Sequence, residues 1–107
     1  MRKTEGIISK YSGVCIICGG YPEEEHHFLF GYGVRELAEA DGIKGKICRK
    51  CHTGASSVSN RIHDNPMAES LSKIVGQLAW EKHEVAQGAT EDEARAKFLK
   101  RYGRSYL

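Results

Sequence analysis

The chain has 107 residues, 40% of them hydrophobic and 28% charged, with a formal net charge of +2. That composition is globular rather than disordered, but a core of this size is marginal on apolar burial alone, so a metal staple would matter. No stretch approaches the roughly 20 apolar residues of a membrane span, and the charged opening Met1-Arg2-Lys3-Thr4-Glu5 does not read as a secretory signal. The expectation is one cytoplasmic domain in a reducing compartment, where paired cysteines favour metal over disulfides.

Residues 1–13 read as a short, polar, loosely held segment, 14–65 as a compact core and 66–107 as C-terminal helices. Cys15-Ile16-Ile17-Cys18-Gly19-Gly20 reads as a metal-gripping knuckle, with glycine after the pair to permit the tight turn. Tyr21-Pro22 and three glutamates form a connecting loop. His26 to Phe30 reads as a strand, on which neighbouring side chains point to opposite faces. His26 and His27 therefore aim in different directions.

Val34 to Ala40 is a short helical stretch with Leu37 and Ala38 as its apolar face and Gly42 as its stop. Ile43 to Ile47 alternates as a second strand leading into Cys48. Thr53 to Asn60 reads as loop. Asn65-Pro66 opens a helix to about Ala86, with Leu71, Ile74, Val75, Leu78 and Val85 as its apolar stripe. Thr90-Glu91-Asp92-Glu93 is a capping box for a last helix that carries Ala94, Phe98 and Tyr102 on one face and ends at Gly103. Helical spacing favours core packing for Trp80 and Tyr102 over stacking on nucleic-acid bases, and places His83 in solvent.

Cys15, Cys18, Cys48 and Cys51 form two matching pairs separated by 29 residues, room enough for both to meet at one ion. Four thiolates make a closed tetrahedral Zn²⁺ site, which is structural. A redox pair would not need two copies and would sit in a βαβ context. His26, His27, His52 and His63 remain beside the knuckles. A one-metal phosphodiesterase needs two or three ligands on a divalent ion and a neutral imidazole to accept a proton from water. The plainer alternative makes a histidine the fourth zinc ligand, with one cysteine spare. Basic residues cluster without acids over 44–61 and 95–107, a pattern that suits a phosphate backbone or an ordinary solvated surface.

The Cys-x-x-Cys pair, Glu25-His26-His27-Phe28-Leu29-Phe30-Gly31, Cys48-Arg49-Lys50-Cys51-His52, His63-Asp64-Asn65, Gln77 to Glu81 and the closing Tyr102 to Leu107 together resemble the HNH endonucleases. The likeness is to small phage and prophage HNH proteins related to the recombination-enhancement, RecA-dependent nuclease. It implies an α+β fold: a zinc-stapled ββα-metal core with additional helices. It also implies cleavage of DNA, by a bacterial-host protein of phage or prophage origin, with a recombinase filament as a partner by analogy.

Carried over by position, His27 is the general base, and His26, His52 and His63 hold a catalytic divalent ion such as Mg²⁺, Mn²⁺, Ni²⁺ or Zn²⁺. The family's middle Asn has no counterpart in Asp41 to Ile47, and Asn60 is the nearest candidate for its orienting role. His52 and His63 are also farther apart than the family's usual four-residue spacing. Arg35, Lys44, Lys46, Arg49 and Lys50 lie close to the site in sequence and are the expected phosphate contacts. A DNA-binding module without cleavage and a protein-interaction adaptor are the competing classes.

Overall fold

Residues 5–55 and 61–107 are described by a computed structural model of mixed α+β architecture. In chain order come β1 (Glu24–His27), α1 (Val34–Asp41), β2 (Lys44–Ile47), one π-helical turn (Lys50–Gly54), α2 (Pro66–Ala86) and α3 (Glu91–Tyr102). None of these helices is long and apolar enough to cross a membrane.

The two strands pair antiparallel, with His26 opposite Gly45 and His27 opposite Lys44. β1 begins and ends earlier than its apolar pattern suggests. Glu24 already pairs with Ile47, and after His27 only one further bond, Phe28 N–H to the Ile43 carbonyl, continues the ladder. Phe28 and Leu29 leave the sheet to enter the core. The N-terminal segment is tied down along β2: Ile7 and Ile8 donate N–H bonds to the Gly42 and Lys44 carbonyls, and the Lys46 N–H donates to Ser9 Oγ.

Helix boundaries follow the capping chemistry. Gly42 closes α1 at φ 72°, in the left-handed region that glycine adopts without strain. Asn65 accepts the Ala68 N–H at the start of α2, with Pro66 in its first turn. Thr90 and Glu93 complete the reciprocal capping box of α3.

Phe28, Leu29, Ala38, Ile43, Trp80, Phe98 and Tyr102 form the main apolar core. Phe98 stacks on Tyr102 at 4.6 Å and meets Trp80 edge-on at 5.5 Å. Asp41 Oδ2, at the end of α1, accepts the Trp80 indole N–H, Tyr102 O–H and Arg101 Nε–H, latching three helices at one carboxylate. A second, smaller core gathers Cys15, Cys48 and Cys51 with Ile47 and Ile62.

α2 overturns the expected apolar stripe. Its buried face is Ser72, Gly76, Gln77 and Trp80, while Leu71 and Leu78 are 55% and 52% exposed and Val75 and Val85 are also exposed. The reason is close approach. A Cβ on Gly76 would lie 2.8 Å from Leu29 Cγ, so only the small-residue face can seat the helix on the chain leaving β1. Hydrogen bonding then fixes it: Ser72 Oγ–H donates to the Phe28 carbonyl at 3.1 Å.

Candidate metal centres

The four cysteines of the two knuckles come together, with their sulfur atoms all within 4.8 Å of one another. All four are free thiols. Cys18 Sγ and Cys48 Sγ are 3.7 Å apart, against about 3.8 Å for two thiolates sharing a tetrahedral zinc with Zn–S bonds of about 2.3 Å. Each knuckle aims amide donors at its sulfurs: Ile17 N–H at Cys15, Gly20 N–H at Cys18 and Cys51 N–H at Cys48. Gly19, at φ 77°, makes the turn that allows this in the first knuckle. Burial alone would raise the Cys15 thiol, but the amides of Cys18, Cys48 and Ile17 outweigh it and hold it down at about 6. That favours the thiolate at Cys15, whereas burial and the neighbouring Cys48, Cys18 and Cys15 push Cys51 up. The donor set fits a zinc ion.

A second group lies beside it. His26 from β1, His52 from the π-helical turn and His63 from the stretch before α2 bring one ring nitrogen each within 4.8 Å of the others. Their ring centroids are 4.8 to 5.1 Å apart. Backbone pairing sets the arrangement, since Ile62 N–H bonds the Cys51 carbonyl and His63 N–H bonds the His52 carbonyl.

Each ring is held from behind through its other nitrogen. His52 Nδ1–H donates to Glu24 Oε1 at 2.9 Å, and His63 Nδ1–H faces Glu69 Oε2 at 3.4 Å. Ser72 Oγ–H is committed to the Phe28 carbonyl, so His26 Nε2–H is the donor in the 2.7 Å bond to Ser72 Oγ. This leaves the His26 Nδ1 lone pair buried and without a hydrogen-bond partner among the described residues. An orphaned buried acceptor is costly unless something binds it. Burial first, then the neighbouring His52 and His63, hold His26 down at about 3, in the neutral form that ligates. Three imidazoles with their outer nitrogens fixed by carboxylates or a hydroxyl have the outer-shell organisation of metal-ligating histidines. The residues fit a divalent ion.

His27 points the other way, as the alternation of β1 requires. Its Nε2 bonds Glu39 Oε1 at 2.8 Å, and Glu39 Oε2 accepts the Lys44 ammonium, also at 2.8 Å. Those two partners, Lys44 first, hold the Glu39 carboxyl down at about 2. His27, Arg35 and Lys46 line a cleft of about 600 Å³ together with Glu23, Glu24, Glu25 and Glu39. His27 is therefore not among the three converging rings.

The expected phosphate contacts divide. Lys44 is 0% exposed and lies against Glu39 and Glu25, so it is an interior counter-ion rather than a surface cation; its position opposite His27 in the ladder turns it inward. Arg35 and Lys46 belong to the His27 cleft, and Arg49 and Lys50 flank the thiolates. Asn60 lies outside the described residues. Sequence reasoning passed over Glu24, Glu39, Glu69 and Ser72, which hold the histidine rings. Glu24 reads as part of an acidic loop and Ser72 as a polar gap in a helical stripe, so neither advertises a partner far along the chain. No protein-family model, curated protein or solved structure matches this chain.

Proposed function

We propose that the chain is a divalent-metal-dependent endonuclease of the HNH, ββα-metal type that hydrolyses DNA phosphodiester bonds. The observation that supports it most is the convergence of His26, His52 and His63, each ring braced from behind, next to a fourth histidine on the opposite strand face. A bound divalent ion would polarise the phosphate and stabilise the leaving oxygen. His26, His52 and His63 would hold that ion, and Cys15, Cys18, Cys48 and Cys51 a structural zinc.

His27 is the general base of this reading. With Nε2–H given to Glu39, the lone pair available for a proton is on Nδ1, so Glu39 takes the tautomer-setting role for which Asn60 was the sequence candidate. The water oxygen bonds to phosphorus as the bond to the leaving sugar oxygen breaks, and the water proton passes to His27 Nδ1. Arg35 and Lys46 lie in the same cleft, among four glutamates, and would be the side chains there to contact a phosphate.

Incubation with supercoiled plasmid and Mg²⁺, Mn²⁺ or Ni²⁺ tests the proposal. Nicking should fall by about 10²-fold or more in His27→Ala. Equal nicking by that variant, or none by the unaltered protein with any of the three ions, would sink it. A protein-interaction adaptor is the second reading, favoured by the solvent-facing Leu71, Val75, Leu78 and Val85 of α2.

A further inference from the structure

Two cations that sequence proximity does not suggest, Lys73 and Arg104, are joined to the converging imidazoles through aromatic rings. From His63 a ladder of rings and charges runs outward. The His63 ring meets the Phe30 ring at 5.0 Å, Lys73 Nζ sits 4.8 Å from the centre of Phe30 and 5.9 Å from that of Tyr106, and the Arg104 guanidinium lies 4.6 Å from Tyr106. The segment carrying Arg104 and Tyr106 is fastened down rather than trailing. Gln77, fully buried in α2, accepts the Tyr106 N–H at 2.6 Å and donates to Ser105 Oγ at 3.0 Å.

Charge pairing divides the cations of the described residues. Arg49, Arg61, Arg95 and Arg101 are each held by a carboxylate. Lys73 and Arg104 have no such partner among the described residues and contact aromatic rings instead, at 5.9 and 4.6 Å from the centre of Tyr106. Cations resting on rings keep N–H groups free for an incoming anion.

We propose that Lys73 and Arg104, layered with Phe30 and Tyr106, form a binding track for the phosphate backbone of a DNA strand that leads to the histidine cluster. The track rests on the endonuclease reading and says where its substrate lies. Its contacts are to backbone and carry no base preference. The rings of Phe30 and Tyr106 act as platforms that position the cations.

Anisotropy of a short fluorescein-labelled DNA duplex, titrated with protein between about 50 and 200 mM salt, tests it without any need for cleavage. Lys73→Gln and Arg104→Gln should each weaken binding on unrelated sequences alike and reduce the salt slope by about 0.9. Arg104→Lys should retain most of the slope, and Lys82→Gln, on the far face of α2, should leave it unchanged. Circular dichroism and cobalt absorption of each variant report that the fold and metal groups persist. Unchanged slopes in both Gln variants, or no binding by the unaltered protein, overturn the track. Reduced slopes in a protein that never nicks plasmid would retain the track and sink the endonuclease reading; unchanged slopes in a protein that nicks would do the reverse.

Discussion

His52 Nε2 and His63 Nε2 stand 3.1 Å apart while the Nδ1 atoms of both rings are turned to Glu24 and Glu69. With both Nδ1 positions donating, two lone pairs confront each other unless a cation or a shared proton lies between them. Two imidazoles on one tetrahedral ion, with bonds of about 2.0–2.1 Å, would separate their nitrogens by about 3.3 Å. Titration with Co²⁺ should therefore fill two spectroscopically distinct groups, one with thiolate charge-transfer absorption and one without. His63→Ala should lose the second and keep the first. Glu24→Ala or Glu69→Ala should weaken the second by about 10- to 100-fold. A single class of cobalt uptake in the unaltered protein would contradict this.

The thiolate group and the imidazole group should separate under chelation. A chelator mild enough to strip only nitrogen-bound ions should leave the far-UV circular dichroism folded while plasmid nicking disappears. Cys48→Ser removes a ligand from the smaller core, where Cys15, Cys51, Ile47 and Ile62 have little else to pack on, and should unfold the domain. A folded Cys48→Ser protein would show that this cluster is not a staple.

The Lys44–Glu39 pair predicts an asymmetric response to mutation. Glu39→Ala leaves the fully buried ammonium leaning on the Glu25 carboxylate at 3.6 Å and should cost about 1–3 kcal/mol. Lys44→Met replaces that charge with apolar volume of similar length and should cost much less. Urea melts of the two variants compare them directly.

Acid should act through the same carboxylate. The folded form holds Glu39 at about 2, below its ordinary value near 4.5, so the unfolded chain takes up its proton first as pH falls. Its contribution is fully present above about pH 4.5 and is lost progressively toward pH 2. In Glu39→Gln the fall in stability over that window should be shallower, as measured by denaturant midpoints at successive pH values.

Gly76→Ala weighs two effects against each other. Alanine gains about 1 kcal/mol of helix propensity, but its Cβ would enter at 2.8 Å from Leu29 Cγ and 3.2 Å from the Phe28 carbonyl carbon. Overpacking of this kind costs about 1–3 kcal/mol, so the thermal midpoint should drop. The same shift would disturb Ser72 against His26, so cobalt affinity at the imidazole group should fall with it. A raised midpoint would mean that the helix–strand contact gives more easily than its geometry implies.

The legible parts of this chain are those with local causes. Both knuckles, the caps at Asn65 and Thr90 and the stops at Gly42 and Gly103 follow from neighbouring residues, and each stands where the sequence places it. The opposed directions of His26 and His27 follow from strand alternation. Hidden were the features made by distant parts of the chain. The core-facing side of α2 is chosen by the fit of Gly76 to Leu29, which hydrophobic periodicity does not encode. Lys44 looks like a surface cation until its ladder position opposite His27 turns it toward Glu39. The carboxylates behind His52 and His63 come from β1 and α2, a long way off in sequence or across a loop.

Cys51 and His52 are consecutive, and the stretch bearing His63 is bonded to their carbonyls. The position of the sulfur cluster and the directions of two of the three imidazoles are therefore tied to one stretch of backbone, while Cys15 and Cys18 sit on a separate turn. Any disturbance of the sulfur turn at Cys51 is thereby passed along the backbone to His52 and His63.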